Sequence, residues 1–277
     1  MNSAHRSVTR AKMLALVLVT LSAGAFLFVP RSHALAGNPS HHSASQDRMS
    51  HFPKIILWAW ERPEDLDFIN PLQVGVAYLA ETIYLSGPEV VIRPRLQPLK
   101  VPQGTFLIAT ARIETNHSAL GRLRAELSAA QRAQAATAIA GLARIHGVQT
   151  VQIDFDATTS ERPFYRDLLN DVRGGLPDST ALSITALGSW CMGDDWLARL
   201  PIDEAVPMLF RMGVDGLEIL SNLRDGGNFD AGICNQSLGI STDEPLVVIP
   251  GGRRVYIFRP SGWSQDAVRA AVGGLTP

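Results

Sequence analysis

The sequence predicts an α/β domain of the (β/α)8 TIM-barrel type, with some of its helices short or missing. Three observations carry that expectation. Eight short apolar segments rich in β-branched and aromatic residues recur along the chain. Helical stretches lie between several of them. Polar and charged residues gather at the C-terminal ends of the segments, the face on which a barrel of this type builds its site.

The segments, in order, are KIILWAW (54–60), VVIRPR (90–95), TFLIATARIE (105–114), VQIDFD (151–156), ALSITALGSW (181–190), AVPMLFRM (205–212), SLGIST (237–242) and RVYIFRP (254–260). Near-continuous apolar runs suit strands buried on both faces, hence a parallel sheet. The spacing predicts a helix over 70–85, with Val74, Ala77, Tyr78 and Leu85 on its apolar face. A second helix over 128–146 opens with the capping box Ser128/Gln131 and stops at Gly147. A third, over 163–173, has Pro163 in its first turn and Phe164, Leu168 and Val172 four residues apart. The last covers 264–272, after Ser264. The link LQPLKVPQG between the second and third segments is too short for a full helix, and 213–236 reads as irregular. The alternative is an open doubly wound sheet, although no G-x-G-x-x-G or P-loop motif is present.

Composition bounds the function. With 46% hydrophobic residues the chain can bury a large core, and 26 acidic against 25 basic residues leave no basic surface for nucleic acid. Residues 1–36 read as a signal peptide or N-terminal anchor. His5, Arg6, Arg10 and Lys12 precede an apolar run over 13–29, followed by small residues at Ala34 and Ala36. A membrane is a partner only if that segment stays uncleaved. Residues 37–52, rich in Ser and His, read as a flexible linker, and 53–277 as one barrel-like domain. Export to a periplasmic or extracellular space would expose Cys191 and Cys234 to oxidising conditions. They either form a bridge closing a loop of about 44 residues or remain two buried thiols.

The fourth segment ends in Asp154 and Asp156. Residues i and i+2 of a strand share a face, which sets the two Cβ atoms roughly 6–7 Å apart. Two like charges that close, facing a restricted interior, push their pKa values apart, and acid/base chemistry uses that separation. The alternative is an ion network with Arg93, Arg95 or Arg112. Other segment ends offer Trp60 and Glu61, Glu114, Trp190, Arg211, and Asp243 and Glu244. Flat aromatic faces stack on sugar rings while carboxylates and Arg bind hydroxyls. Trp60, Glu61, Arg93, Arg95, Arg112, Trp190 and Arg211 are therefore candidate carbohydrate-binding residues. No G-x-S-x-G elbow, H-E-x-x-H or Cys/His ligand set is present, and no cofactor or metal is expected.

Taken together, VQIDFDATTSERPFYRDLL, LSITALGSWC, AVPMLFRMG, LGISTDEP and RVYIFRP resemble the bacterial family called domain of unknown function 3142, over roughly residues 54–263. That family carries no assigned activity. A second resemblance is to chitinase-type (β/α)8 glycoside hydrolases, whose fourth strand carries D-x-x-D-x-D-x-E. On VQIDFDAT the two middle acids fall on Asp154 and Asp156, the first Asp on Val151, and the proton-donating Glu on Thr158. A register shifted by two places Asp156 at the donor and Gln152 at the first retained acid. The resemblance implies the barrel and a carbohydrate site, without the substrate-assisted mechanism.

Three readings follow. In the first, an exported glycoside hydrolase-like enzyme uses Asp156 as general acid, with Asp154 tuning it and Glu114, Asp243 or Glu244 as second carboxylate. In the second, a non-catalytic protein on a degenerate barrel binds glycans. In the third, an envelope protein keeps the charges as an internal network.

Overall fold

Eight parallel strands close into a barrel in the computed structural model, which describes residues 48–49, 51–115, 123–245 and 250–275. The apolar N-terminal run and most of the linker lie outside those residues. The strands are β1 (Ile55–Ala59), β2 (Glu64–Asp65), β3 (Val74–Ser86), β4 (Glu89–Pro94), β5 (Leu99–Lys100), β6 (Leu107–Glu114), β7 (Val148–Asp154), β8 (Ala181–Leu187), β9 (Glu204–Met208), β10 (Ser237–Ser241) and β11 (Arg254–Phe258). The helices are α1 (Ala129–Gly141), α2 (Arg162–Gly175), α3 (Gly216–Arg224) and α4 (Gln265–Gly273). Around the barrel the order is β1-β3-β6-β7-β8-β9-β10-β11. β1 pairs in parallel with both β3 and β11, so the eight-stranded barrel is closed and the sheet is not a doubly wound one.

The second barrel strand differs from the expectation. Residues 70–85 do not form a helix; β3 occupies most of that stretch. All residues from 74 to 83 are buried, and a run buried on both faces loses the period-two alternation that marks a strand. The β-branched and aromatic content of VGVAYLAETIYLS was the contrary signal. The segment 90–95 is accordingly no barrel strand. It forms β4, which runs antiparallel along the far half of β3, from Glu81 to Ser86, past the point where β1 stops.

Helices match where local signals are complete. Ser128 and Gln131 make both bonds of the capping box at α1, which passes into a 3-10 turn at Leu142–Arg144 before Gly147 takes φ 83°. The Ser264 hydroxyl caps α4 by accepting from the Ala267 N–H. Between β8 and β9 only the 3-10 turns Gly188–Cys191 and Trp196–Arg199 appear. A disulfide between Cys191 and Cys234 fastens this stretch to the chain entering β10.

Inside the barrel, polar side chains form a floor. The Trp58 indole N–H donates to Gln152 Oε1 (3.1 Å), Gln152 Nε2 donates to the Ser183 hydroxyl (3.2 Å), and that hydroxyl donates to Glu204 (2.9 Å). Tyr256 and Arg254 each donate to Glu204 at 2.6 Å. Glu204 is 0% exposed, so its charge is tolerable only with these partners. Gly239 makes room for the Trp58 ring: a Cβ there would lie 2.9 Å from Trp58 Cη2.

Two predictions follow from this wall. The chain between the bridged cysteines spans 43 positions, worth roughly 4 kcal/mol of restricted unfolded-state entropy. Replacing Cys191 and Cys234 by Ser should lower the melting temperature by several degrees in calorimetry; an unchanged midpoint would show that the bridge stabilises nothing. Glu81 is 7% exposed, sits beside the bulge in β3 opposite Pro94, and one of its oxygens has no partner. Burial raises its pKa from 4.5 to about 7. The folded state favours the neutral acid, so this contribution is full below pH 4.5 and is lost as pH rises through about 7. Glu81→Gln should raise the melting temperature at pH 8 and change it little at pH 4; an equal effect at both would refute the assignment.

Candidate active site at the barrel mouth

A cavity of about 580 Å³ opens at the C-terminal ends of the barrel strands. Its walls come from six of the eight: Trp58 and Trp60 from β1 and its exit, Arg112 from β6, Asp154 and Asp156 from β7, Thr185 and Leu187 from β8, Met208 and Phe210 from β9, and Phe258 from β11. Strand alternation brings them together, since these positions share parity with the floor residues Gln152, Ser183 and Tyr256. A smaller pocket of about 270 Å³ adjoins it and shares Arg112, Asp154 and Asp156, adding Glu114 and Glu161.

The two aspartates have different surroundings. Asp154 is buried and fully held: one oxygen accepts from the Thr185 hydroxyl (2.7 Å), the other from the Arg112 guanidinium (2.9 Å). Arg112 also donates to Glu114 at 3.0 Å. Asp156 has no such bonds among the described residues and is exposed at the mouth. The protein around the cavity still removes enough water to disfavour its anion, and the Asp154 charge adds to this. Both raise the Asp156 pKa above the usual carboxylate range, against the opposing pull of Arg112.

An aromatic wall faces these acids. Phe210 and Phe258 stack with centroids 5.6 Å apart and planes within 1°, and Trp60 meets Phe258 edge-on at 6.4 Å. Arg112 lies 5.8 Å from the Trp60 ring centre and Arg211 5.2 Å from that of Phe258, so a cation closes each end. Such a surface offers apolar faces with charged hydrogen-bonding rims, which suits a ring bearing hydroxyls.

The sequence-predicted residues divide accordingly. Asp154, Asp156, Trp60, Arg112 and Arg211 line the larger cavity, and Glu114 the smaller. The others lie elsewhere. Asp243 and Glu244 hold the backbone of the Arg211 turn: Glu244 accepts from the Arg211 N–H (2.8 Å) and Asp243 from its guanidinium (3.0 Å). Arg211 has φ 50°, a conformation that needs such support. The Ser241 hydroxyl, above all, holds the Asp243 carboxyl below its usual range. Glu61 pairs with Arg93 at 2.8 Å on the surface. Arg95, half-buried, donates to the carbonyls of Ala59, Trp60, Arg62 and Gln97, fixing the exit of β1. Arg93 and Arg95 were expected at the end of a barrel strand; they stand on and after the antiparallel β4 because the second barrel strand is β3. Trp190 is 3% exposed and packs edge-on against Trp196 at 4.9 Å, beside the disulfide.

Sequence reasoning missed Thr185, Phe210, Phe258 and Asp215, all in the cavity wall. The two Phe residues occupy inward positions at the ends of recognised segments, so parity counting would have found them. Thr185 carries no signal without the fold. Thr158, aligned with the chitinase proton donor, gives its hydroxyl to Glu161 (2.8 Å) and takes no place in the wall of either pocket. Among the described residues no group of three or more His, Cys, Asp or Glu is placed to hold a metal ion, and no helix is long and apolar enough to cross a membrane.

No family model matches the chain, so the resemblance to domain of unknown function 3142 gains no support from that comparison. No curated protein matches either. Similar solved structures include two enzymes. One is the Bacillus cereus spore cortex-lytic enzyme SleL, at 17% identity over 68% of this chain and 50% of that one, with TM-score 0.45. The other is an endo-beta-N-acetylglucosaminidase from Cordyceps militaris in apo form, at 9% identity over 80% of this chain and 86% of that one, with TM-score 0.42. The chain spans about half the length of SleL. Neither likeness gives a residue of this chain a role.

The charge arrangement predicts opposite effects of two substitutions on the Asp156 carboxyl, followed by carbon NMR titration. Asp154→Asn removes the like charge and should lower its pKa; Arg112→Met removes the opposing cation and should raise it. Shifts in the same direction would contradict the arrangement.

Proposed function

We propose that the chain is an exported, glycoside hydrolase-like protein that binds a carbohydrate at the barrel mouth and cleaves it with Asp156 as general acid. One observation carries this reading. In a single cavity, one carboxylate is locked by Arg112 and Thr185 while its neighbour two residues on has no bond among the described residues and a raised pKa. A carboxyl that stays protonated closer to neutral pH can give its proton to a leaving sugar oxygen. Asp154 acts through its charge, and the Arg112–Asp154 bond keeps that charge in place. Trp60, Phe210 and Phe258 provide the stacking surface. The disulfide supports export, because such bridges persist in oxidising compartments.

A second reading is favoured by Thr158, which stands where the chitinase-type signature has its acid. On that reading the cavity binds glycans without cleaving them.

Reducing-end release from a polysaccharide panel, measured for the wild type and for Asp156→Asn, separates the two. The first reading expects cleavage that the variant loses by about 100-fold or more while its melting temperature is kept. Glycan binding by both proteins with no cleavage by either would establish the second.

A further inference from the structure

We propose that Asp215 is the second catalytic carboxylate, the base that activates water opposite Asp156, and that the reaction inverts the anomeric configuration. The assignment rests on the hydrolytic reading above.

Among the described residues, three carboxylates line the larger cavity: Asp154, Asp156 and Asp215. Asp154 is occupied by Arg112 and Thr185. Asp215 has no ion-pair partner among the described residues. It stands at the N-cap of α3, but its side chain makes no capping bond. An exposed aspartate at that position usually caps the helix, so its carboxylate is left available for another partner. The acids expected across the barrel are committed elsewhere: Asp243 and Glu244 to the Arg211 turn, and Glu114 to Arg112.

The topology sets the two acids apart. Asp156 follows β7 and Asp215 follows β9, with β8 between them. Two strand spacings separate the ends of β7 and β9 by roughly 10 Å. Acids carried past strands so separated favour a gap that admits a water molecule over the roughly 5 Å of a carboxylate attacking the sugar directly. In the step, Asp215 takes one proton from water as the water oxygen bonds to the anomeric carbon. The glycosidic C–O bond breaks, and Asp156 gives its proton to the departing oxygen. Asp215 ends protonated and Asp156 ionised, and exchange with solvent restores both. Val214 and Gly213, which also line the cavity, place the base on the β9–α3 turn and not on the strand itself. This is why no strand-end pattern reveals it.

The test uses the full chain with Asp215→Asn and Asp156→Asn. Rates are taken on the polysaccharide panel and on 2,4-dinitrophenyl glucoside, galactoside and N-acetylglucosaminide, whose leaving group needs no acid. Asp215→Asn should lose about 100-fold to 10,000-fold on both kinds of substrate with its fold intact. Asp156→Asn should lose a comparable factor on polysaccharide but far less on the dinitrophenyl glycosides. Proton NMR of the first product should show the inverted anomer. Full activity in Asp215→Asn, or a retained anomer, overturns the assignment while leaving the hydrolytic reading standing. A wild type that cleaves nothing overturns both.

Discussion

Closure of the sheet at β1 is the constraint on which the rest of the molecule depends. Because β1 pairs with β11 on one side and β3 on the other, all eight parallel strands end on one rim. Six of them then contribute side chains to one cavity. The short β1 stops at Ala59, and the longer β3 continues beyond it to carry β4 as an arm. Arg95, after that arm, reaches back to the carbonyls at the β1 exit and so fixes the segment bearing Trp60. Below the rim, the floor centred on Gln152 and Glu204 satisfies the buried Glu204 carboxylate through donors from Ser183, Arg254 and Tyr256 at once.

The rim itself holds the aspartates unequally. Arg112 spans Asp154 and Glu114, and Thr185 supplies a second donor to Asp154. Asp156, two residues further along, takes none of these bonds and feels Asp154 and Arg112 only through their charges. The same strand thus delivers a fixed charge and an acid with no ion-pair partner among the described residues. This asymmetry, and not the number of acids at the mouth, makes the cavity suited to proton transfer.

Much of this was legible from the sequence, for reasons specific to each element. Seven barrel strands announce themselves as β-rich apolar runs. α1 and α4 carry caps whose bonds the structure contains. The Asp154/Asp156 pair is visible because acids closing an apolar strand break its pattern. β3 was not legible, because its run is 13 residues long, the length of a helix, and burial on both faces leaves no alternation to decide between the two. That one misreading displaced Arg93 and Arg95 from the rim. Asp243 and Glu244 follow a strand end, as a site residue would, yet their bonds go to the strained Arg211 turn, which sequence does not announce. Trp190 shows the reverse: an aromatic at a strand end that is drawn under the surface by Trp196 and the neighbouring disulfide.

The central claim is that Asp156 works as a proton donor because its surroundings disfavour its anion. It is tested most directly by comparing the pH dependence of wild-type polysaccharide cleavage with the carbon NMR titration of the Asp156 carboxyl. An acid must be protonated to act, so activity should fall as pH rises through the pKa of Asp156, and the two curves should share a midpoint above the ordinary carboxylate range. An Asp156 carboxyl that titrates in the ordinary range, or cleavage that persists after Asp156 has ionised, would contradict the account.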